Sequence, residues 1–425
     1  MSRRAARKWD TIRVMRAVRR PGLLTFVAGA AIVGSTFVSL LTVDAPTVAA
    51  SPSAPPPSPA ASASSRPFPT PVTNRTVPVP DSVTSGSGFN EWLSGVPDGS
   101  IVDFPQNAAI DLDTGFNLQG RNNLVLRLNG ATLRVQGPGD VPDSSPFFVR
   151  NSSHIEIDGP ATVLGNNPNA TTLFTPGQEN SHVLALSGWG GQGPSSYVEM
   201  RGIDARNVYG DFAYLEGRNV APWEPSSYVW IHDNTGTSIG RNAISSIDVT
   251  DLLVESNTFD RIGLDAWDIE PNFDGQQVRR NTFRSNRIGA YSLMTQFDGW
   301  LLSTANKTKA VIEDITLTDN DVVGVAANGH SGVPRGLQVQ IDRSGRPSQV
   351  TVTNNRTAQA APGPVMHFVN VDGLTVDGNV QPLTSGDLTT TNAETGLRPL
   401  LILGTGLLIA VAAGGLLAWR LRRRR

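Results

Sequence analysis

Three carboxylates fall within six residues in the stretch Asp265-Ala266-Trp267-Asp268-Ile269-Glu270-Pro271. If this stretch is a strand, alternate side chains share a face, so Asp268 and Glu270 point one way and Trp267 and Ile269 the other. Like charges that close repel and raise each other's pKa. Glycoside hydrolysis uses such a pair, one carboxyl protonated as acid and the other activating water or acting as nucleophile, about 6.5–9.5 Å apart in inverting enzymes. Positions i and i+2 of a strand have Cα atoms about 6.6 Å apart, inside that window. Asp268 is then the expected acid, its pKa raised by Glu270 and Asp265, with another carboxylate as base. The same oxygens suit Ca²⁺. A structural use is equally open, with Asp265 capping a turn and Glu270 bonding backbone N–H groups or pairing with Arg241 or Arg279. The five histidines, His154, His182, His232, His330 and His367, lack the paired spacing that zinc needs.

What must position these acids is a repeat. Residues 81–385 carry a recurring pattern of apolar, any, apolar, two residues, usually Asn, any, often apolar. It reads Leu252-x-Val254-x-x-Asn257-x-Phe259 and Ile315-x-Leu317-x-x-Asn320-x-Val322, with further copies ending in Asn129, Asn234, Asn355 and Asn379. Asn281 fills the slot of a copy with one apolar position replaced, and Pro160 and Ile203 fill it in two weaker copies. The shortest slot-to-slot spacings are 23 and 24 residues, with longer intervals where loops are inserted. One coil of a parallel β-solenoid needs about that length, and a coil buries its apolar side only by stacking on neighbours. Asn at a turn tolerates left-handed backbone angles and can bond to its counterpart one coil on.

Aligned on this slot, residues eight positions on form a column of Asp211, Asn242, Asp265 and Gly289. Three positions further the column is Tyr214, Ser245, Asp268 and Ser292, and two further it is Glu216, Ile247, Glu270 and Met294. Stacked neighbours lie about 4.7–4.9 Å apart. Asp211, Asp265, Asp268 and Glu270 are therefore the candidate catalytic residues. Arg241, Asn242, Ser245 and Ser292 are candidate substrate contacts beside them. Trp189 and Trp300 sit in insertions and could stack on sugar rings, although loop packing is the alternative use of each. A lyase would need a base from among Arg241, Arg261, Arg279, Lys307 and His330, none of which stands in a recognisable motif.

The opening of the repeat, Gly88-Phe89-Asn90 through Pro97-Asp98-Gly99-Ser100-Ile101-Val102 and Asn123-Leu124-Val125-Leu126, resembles the right-handed parallel β-helix superfamily, the pectate-lyase-like group. The run Gly240-Arg241-Asn242-Ala243-Ile244 followed by Asp268-Ile269-Glu270-Pro271-Asn272 is similar to uncharacterised actinobacterial surface proteins of that fold. The resemblance implies an all-β, right-handed parallel β-helix of about nine or more coils over 81–385. It implies a polysaccharide as partner, bound and cleaved by hydrolysis or elimination, or bound by a non-catalytic adhesin or structural spike, because one fold hosts many functions.

Composition agrees with a turn-rich β protein: 42 Gly, 30 Pro and only 17% charged residues. With no Cys, neither a disulfide framework nor a Cys-based metal site can form. Thirteen of the 35 basic residues lie in the first 20 positions and the last six, leaving 22 against 36 acidic residues once Asp10 is set aside. The middle of the chain is thus about −14, which excludes a nucleic-acid binder that works by phosphate neutralisation. At the N-terminus, the basic residues 1–20, an apolar run and Val48-Ala49-Ala50 read as a signal peptide over 1–50, with an uncleaved anchor as the alternative. Residues 51–80 are a Pro/Ala/Ser-rich linker. Residues 386–398 form a spacer holding Asn392-Ala393-Glu394-Thr395-Gly396, which resembles a sortase signal cut between Thr395 and Gly396, with Asn392 where Leu is expected. Residues 399–425 read as a single-pass anchor, apolar from Leu400 to Trp419 and closed by a cytoplasmic Arg cluster. The repeat would then face outward from the cell membrane or wall. Deleting 399–425 is expected to release the protein into the medium. Retention of the truncated chain on cells, measured by fractionation and blotting, would overturn the anchor.

Overall fold

A computed structural model describes residues 66–136, 145–167, 180–294, 297–304, 308–329, 333–342, 346–357 and 364–379. The expected signal peptide, the first part of the linker, the sorting-like motif and the C-terminal anchor lie outside the described residues. Among the described residues no helix is long and apolar enough to cross a membrane.

Alternating short apolar strands separated by Asn, Gly and Asp turns leave the chain one way to bury its apolar side, which is to wind and stack. It forms a parallel β-helix. Each turn contributes a strand to three ladders, and neighbouring turns pair in parallel. The first ladder runs from Ser100–Asp103 through Val249–Glu255 to Thr375–Asp377. The second runs from Ala109–Leu112 through Thr258–Ile262 to Arg356–Thr357. These two merge into one 18-stranded sheet through the long strands Ser153–Leu164 and Ser196–Val208, while the third ladder is a separate nine-stranded sheet. That third sheet has one strand per coil, from Phe116–Gln119 to Val365–Val369, so the described residues complete nine coils.

The core consists of stacked rows of like side chains. Ile244, Trp267 and Leu302 follow one another inward on the third sheet, and Leu126, Ile157, Met200, Ile231, Val254 and Phe283 contribute to the first. Trp267 is fully buried, stacks against Phe283 at 5.6 Å and donates its indole N–H to Ser246 Oγ at 3.0 Å. The second sheet needs a small residue at Gly236, where a Cβ would come within 2.9 Å of Phe259 and 3.0 Å of Phe212.

The turn between the first and second ladders carries the expected Asn ladder. Asn257 Oδ1 accepts from Asn234 N and Nδ2 at 3.1 and 3.0 Å, and Asn257 N and Nδ2 donate to Asn286 Oδ1 at 3.0 Å each. The series continues through Asn320, Asn355 and Asn379. The residue before each Asn is left-handed: Asp233, Ser256, Ser285, Asp319 and Asn354 have φ of 52–58°. One position differs from the sequence reading. The ladder member in the coil after Asn257 is Asn286, not Asn281. Asn281 pairs in register with Ile315 inside the strand Gln277–Arg284, where its Oδ1 accepts Leu252 N at 3.1 Å. The correct copy is Asn281-x-Phe283-x-x-Asn286-x-Ile288, with the amide replacing the first apolar residue.

The N-terminal end also departs from a plain repeat. Helix α1 (Gly86–Leu93) closes it, with Ser85 Oγ accepting Gly88 N at 3.0 Å and Phe89 packed on Phe104 and Phe116 at 5.3 and 4.1 Å. The end of the stretch read as linker is part of the fold. The strand Arg75–Pro78 pairs with Ser100–Asp103, and Arg66 bonds Glu156 and Glu199. Asn257→Ala removes an acceptor for two N–H groups of Asn234 and a donor to Ile231 O, all buried. Unfolding in urea followed by circular dichroism should show a loss of about 3 kcal/mol, since each orphaned buried polar group costs about 1–3 kcal/mol. A loss under about 1 kcal/mol would mean that the ladder is dispensable.

Candidate functional site

The corner that leads into the third sheet carries a second ladder, built from mixed side chains. His182 Nδ1 lies 3.0 Å from Asp211 N and 3.3 Å from Asp211 Oδ2. Asp211 Oδ1 accepts Asn242 N at 2.9 Å, Asn242 Oδ1 accepts Asp265 N at 2.9 Å, and Asp265 Oδ1 accepts Trp300 N. Each level satisfies the backbone N–H of the next coil. Asp211 and Asp265 are thus joined as the aligned columns require, and both carboxylates hold the turn. Asp211 is fully buried, and its Oδ2 accepts Ser245 Oγ at 3.0 Å.

Three residues beyond the ladder, Tyr214, Ser245, Asp268 and Ser303 stand side by side on the outer face of the third sheet. Asn242 Nδ2 joins this row to the ladder, lying 3.0 Å from Ser245 Oγ and 3.2 Å from Asp268 Oδ2. Trp267 and Ile269 face the core and Asp268 the outside, and Glu270, two residues on, is part-exposed. Arg241 lies among these acids, its Nε 3.6 Å from Asp211 Oδ1 and without a hydrogen bond.

Environment separates these acids into charged and neutral members. Burial pushes Asp211 up, but the charges of Arg241 and His182 and the hydrogen bonds it accepts outweigh that and hold it below the usual Asp range. Burial raises Asp265 to about 8, opposed by the Trp300 N–H and reinforced by Glu270. Asp268 is pushed well above the usual range, by burial first and then by the charges of Glu270 and Asp265. Burial also disfavours charge on Arg241, yet Asp211, Asp268 and Glu270 keep it protonated. The result at neutral pH is an ion pair of Asp211 and Arg241 beside a carboxylic acid at Asp268.

An open cleft of about 470 Å³ continues from this row toward earlier coils. Its lining includes His182, Ser187, Trp189, Tyr214, Glu216 and Phe273. Trp189 is 58% and Phe273 47% exposed, and Phe273 is backed by Trp223 stacked at 4.6 Å. His182 stacks on Tyr214 at 4.8 Å. Glu216 Oε2 accepts Ser187 Oγ at 2.9 Å, and burial raises Glu216 to about 7. Asn272 and Phe273 come just after Glu270, so the cleft wall and the acid strand are one continuous piece of chain. Among the described residues no group of three His, Cys, Asp or Glu converges to hold a metal ion.

Of the ten residues singled out from sequence, Asp211, Arg241, Asn242, Ser245, Asp265, Asp268 and Glu270 come together. Trp189 lies on the cleft. Ser292 does not join the row, because Ser303 is the partner of Asp268; Ser292 Oγ instead accepts Gly299 N and donates to Asn328 O. The displacement follows from the turn Asn of this coil being Asn286 and from the loop inserted before Leu302–Ser303. Trp300 is 5% exposed and offers no stacking surface. Glu216, His182, Tyr214 and Phe273 were not singled out. The aligned columns place Tyr214 in the row of Asp268 and Glu216 two coils from Glu270 with Ile247 between, and these are the signals the sequence carries. Lys307 and His330 lie outside the described residues.

No protein-family model matches this sequence, and no curated protein matches it. Among solved structures, the chain is similar to an alginate lyase from Paenibacillus sp. str. FPU-7 (14% identity, TM-score 0.47, 72% of this chain and 95% of that one). It is also similar to PfbA, a surface adhesin of Streptococcus pneumoniae (11% identity, TM-score 0.38, 69% and 86%). A third is the catalytic unit of a GH87 alpha-1,3-glucanase from Streptomyces thermodiastaticus strain HF3-3 (14% identity, TM-score 0.41), of which this chain spans 59%.

The raised Asp residues give stability a defined pH slope. Asp265 titrates near 3.8 when unfolded and near 8 when folded, so between those values only the folded state keeps the proton. Stability contributed by these acids is therefore complete below about pH 4 and falls as pH rises toward 8. Asp268→Asn should flatten that slope and be more stable than the parent above pH 7, by about 1 kcal/mol or more. Melting temperatures measured from pH 4 to 9 check this, and an unchanged slope in the variant would refute the assignment.

Proposed function

We propose that this chain binds a polysaccharide across the outer face of the third sheet and hydrolyses it there. The supporting observation is a buried carboxylic acid, Asp268, on the strand Trp267–Ile269, with the part-exposed Glu270 just past that strand's end, in a row whose Tyr214 also lines a cleft walled by exposed Trp189 and Phe273. Exposed aromatic rings suit sugar faces, and the pair of acids suits acetal chemistry. Asp268 Oδ2 accepts from Asn242, which leaves the proton for Oδ1. That proton goes to the glycosidic oxygen as the bond to the anomeric carbon breaks. Water adds to that carbon and gives its proton to Glu270, and exchange with solvent restores both groups. Arg241 and Tyr214 border the charge that develops. Asp211, Asn242 and Ser245 position the acid rather than react, since their polar atoms are taken up within the two ladders.

A non-catalytic surface adhesin is the second reading, favoured by the use of Asp211 and Asp265 as turn acceptors. With the expected N- and C-terminal segments, either protein would work outside the cell and be held at its surface. Asp268→Asn separates the two. Release of reducing ends from a polysaccharide panel should drop at least about 100-fold in the variant, in line with loss of general acid catalysis. A parent chain inactive on the whole panel, with glycan binding unchanged in the variant, would establish the adhesin.

A further inference from the structure

The cleft beside the acids also specifies the charge of the ligand. Its described lining contains three Asn (Asn180, Asn219, Asn272), Ser187 and the carboxyl of Glu216, and neither Lys nor Arg. Arg241, the cation nearest the acid row, faces Asp211, Asp268 and Glu270, so its charge is already answered. Behind Glu216 lies a second buried acid, Asp248, fully covered, with Oδ1 accepting Gln277 N at 2.8 Å and Oδ2 without any hydrogen bond. Gln276, whose Oε1 accepts Asn272 N and Phe273 N, holds the wall of the cleft while its own Nε2 is unpaired.

We infer that the cleft takes an uncharged glycan and rejects polyuronates, with Glu216 as the residue that sets this specificity. This rests on the polysaccharide reading above. A sugar ring laid on Trp189 would place hydroxyls among amide and carboxyl partners that both donate and accept, which a neutral pyranose satisfies. A uronate carboxylate would enter a site whose described lining holds no Lys or Arg, whose His182 ring is already turned to Asp211, and where burial pushes Glu216 and Asp248 toward neutrality. A uronate there would be an anion buried without a cationic partner, beside a carboxyl that burial already keeps from ionising, a desolvation cost that a neutral ring avoids.

Titration of the full chain with oligosaccharides from a neutral glucan and from a polyuronate, followed by tryptophan fluorescence and calorimetry, tests this. Neutral oligosaccharides should bind at least about 10-fold more tightly than uronic ones of equal length. Trp189→Ala, at an exposed position, should weaken neutral binding at least 10-fold, and Glu216→Arg should reverse the preference. Equal or tighter uronate binding by the parent chain, or a preference unmoved by Glu216→Arg in a variant with a native circular dichroism spectrum, overturns the inference. Its failure is distinguishable from that of the hydrolysis reading. Neutral binding without cleavage refutes hydrolysis and supports this specificity, whereas cleavage of a polyuronate does the reverse.

Discussion

Everything in this molecule depends on satisfying the backbone N–H groups at the corners of each coil. Within the strands the parallel ladders do this automatically. At the corners the chain turns away from its neighbour, and a side chain must reach across a gap of about 4.8 Å to the next level. Asn suits the gap because its oxygen accepts from the coil on one side while its amide donates toward the other. Asn257 shows both actions, accepting from Asn234 and donating to Asn286 and Ile231. Left-handed residues just before the Asn make the bend, so the ladder and the backbone conformation form a single device.

The candidate site is what happens when such a ladder is built partly from acids. At the second corner the levels are His182, Asp211, Asn242 and Asp265, where an all-Asn series would have been neutral. A carboxylate accepts but cannot donate, and its charge must be met or its proton kept. Asp211 takes the first course, with Arg241 and His182 beside it, and Asp265 takes the second. Asp268, three residues beyond Asp265, is raised by its burial and by the charge of Glu270 before these levels add to it. A raised carboxylic acid at Asp268 therefore follows from a buried strand position next to Glu270 and the ladder.

The repeat and the outward placement of Asp268 were legible in the sequence because both follow from fixed periods, about two residues along a strand and about 23 along a coil. Asp211, Asn242 and Asp265 fell into one column for that reason. Legibility failed where the period was interrupted. Asn281 occupies a slot that looks like the ladder, yet it is an amide standing in an apolar position, and Asn286 five residues later makes the ladder bond. The inserted loop before Leu302 then carried Ser292 away from the row and left Trp300 buried. The cleft was illegible for a related cause. Trp189, Trp223 and Phe273 come from three different loops, and no periodicity relates loops to one another.

Rigidity of the strand face and variability of the loops divide the work of the site between them. Asp268 cannot move independently of the core, because Trp267 and Ile269 on either side are locked among stacked neighbours. Its acidity is set by burial, by Glu270 and by the adjoining ladder levels, so a change at Asp211, Asn242 or Asp265 alters the chemistry and the coil junction together. Trp189 and Phe273 are bound by no such requirement, being exposed and attached to loops whose lengths differ from coil to coil. Ligand choice can thus change by substitution at the loops without disturbing the ladder. A new ionisation state at Asp268, by contrast, requires a change in its burial, at Glu270 or in the ladder that joins two coils.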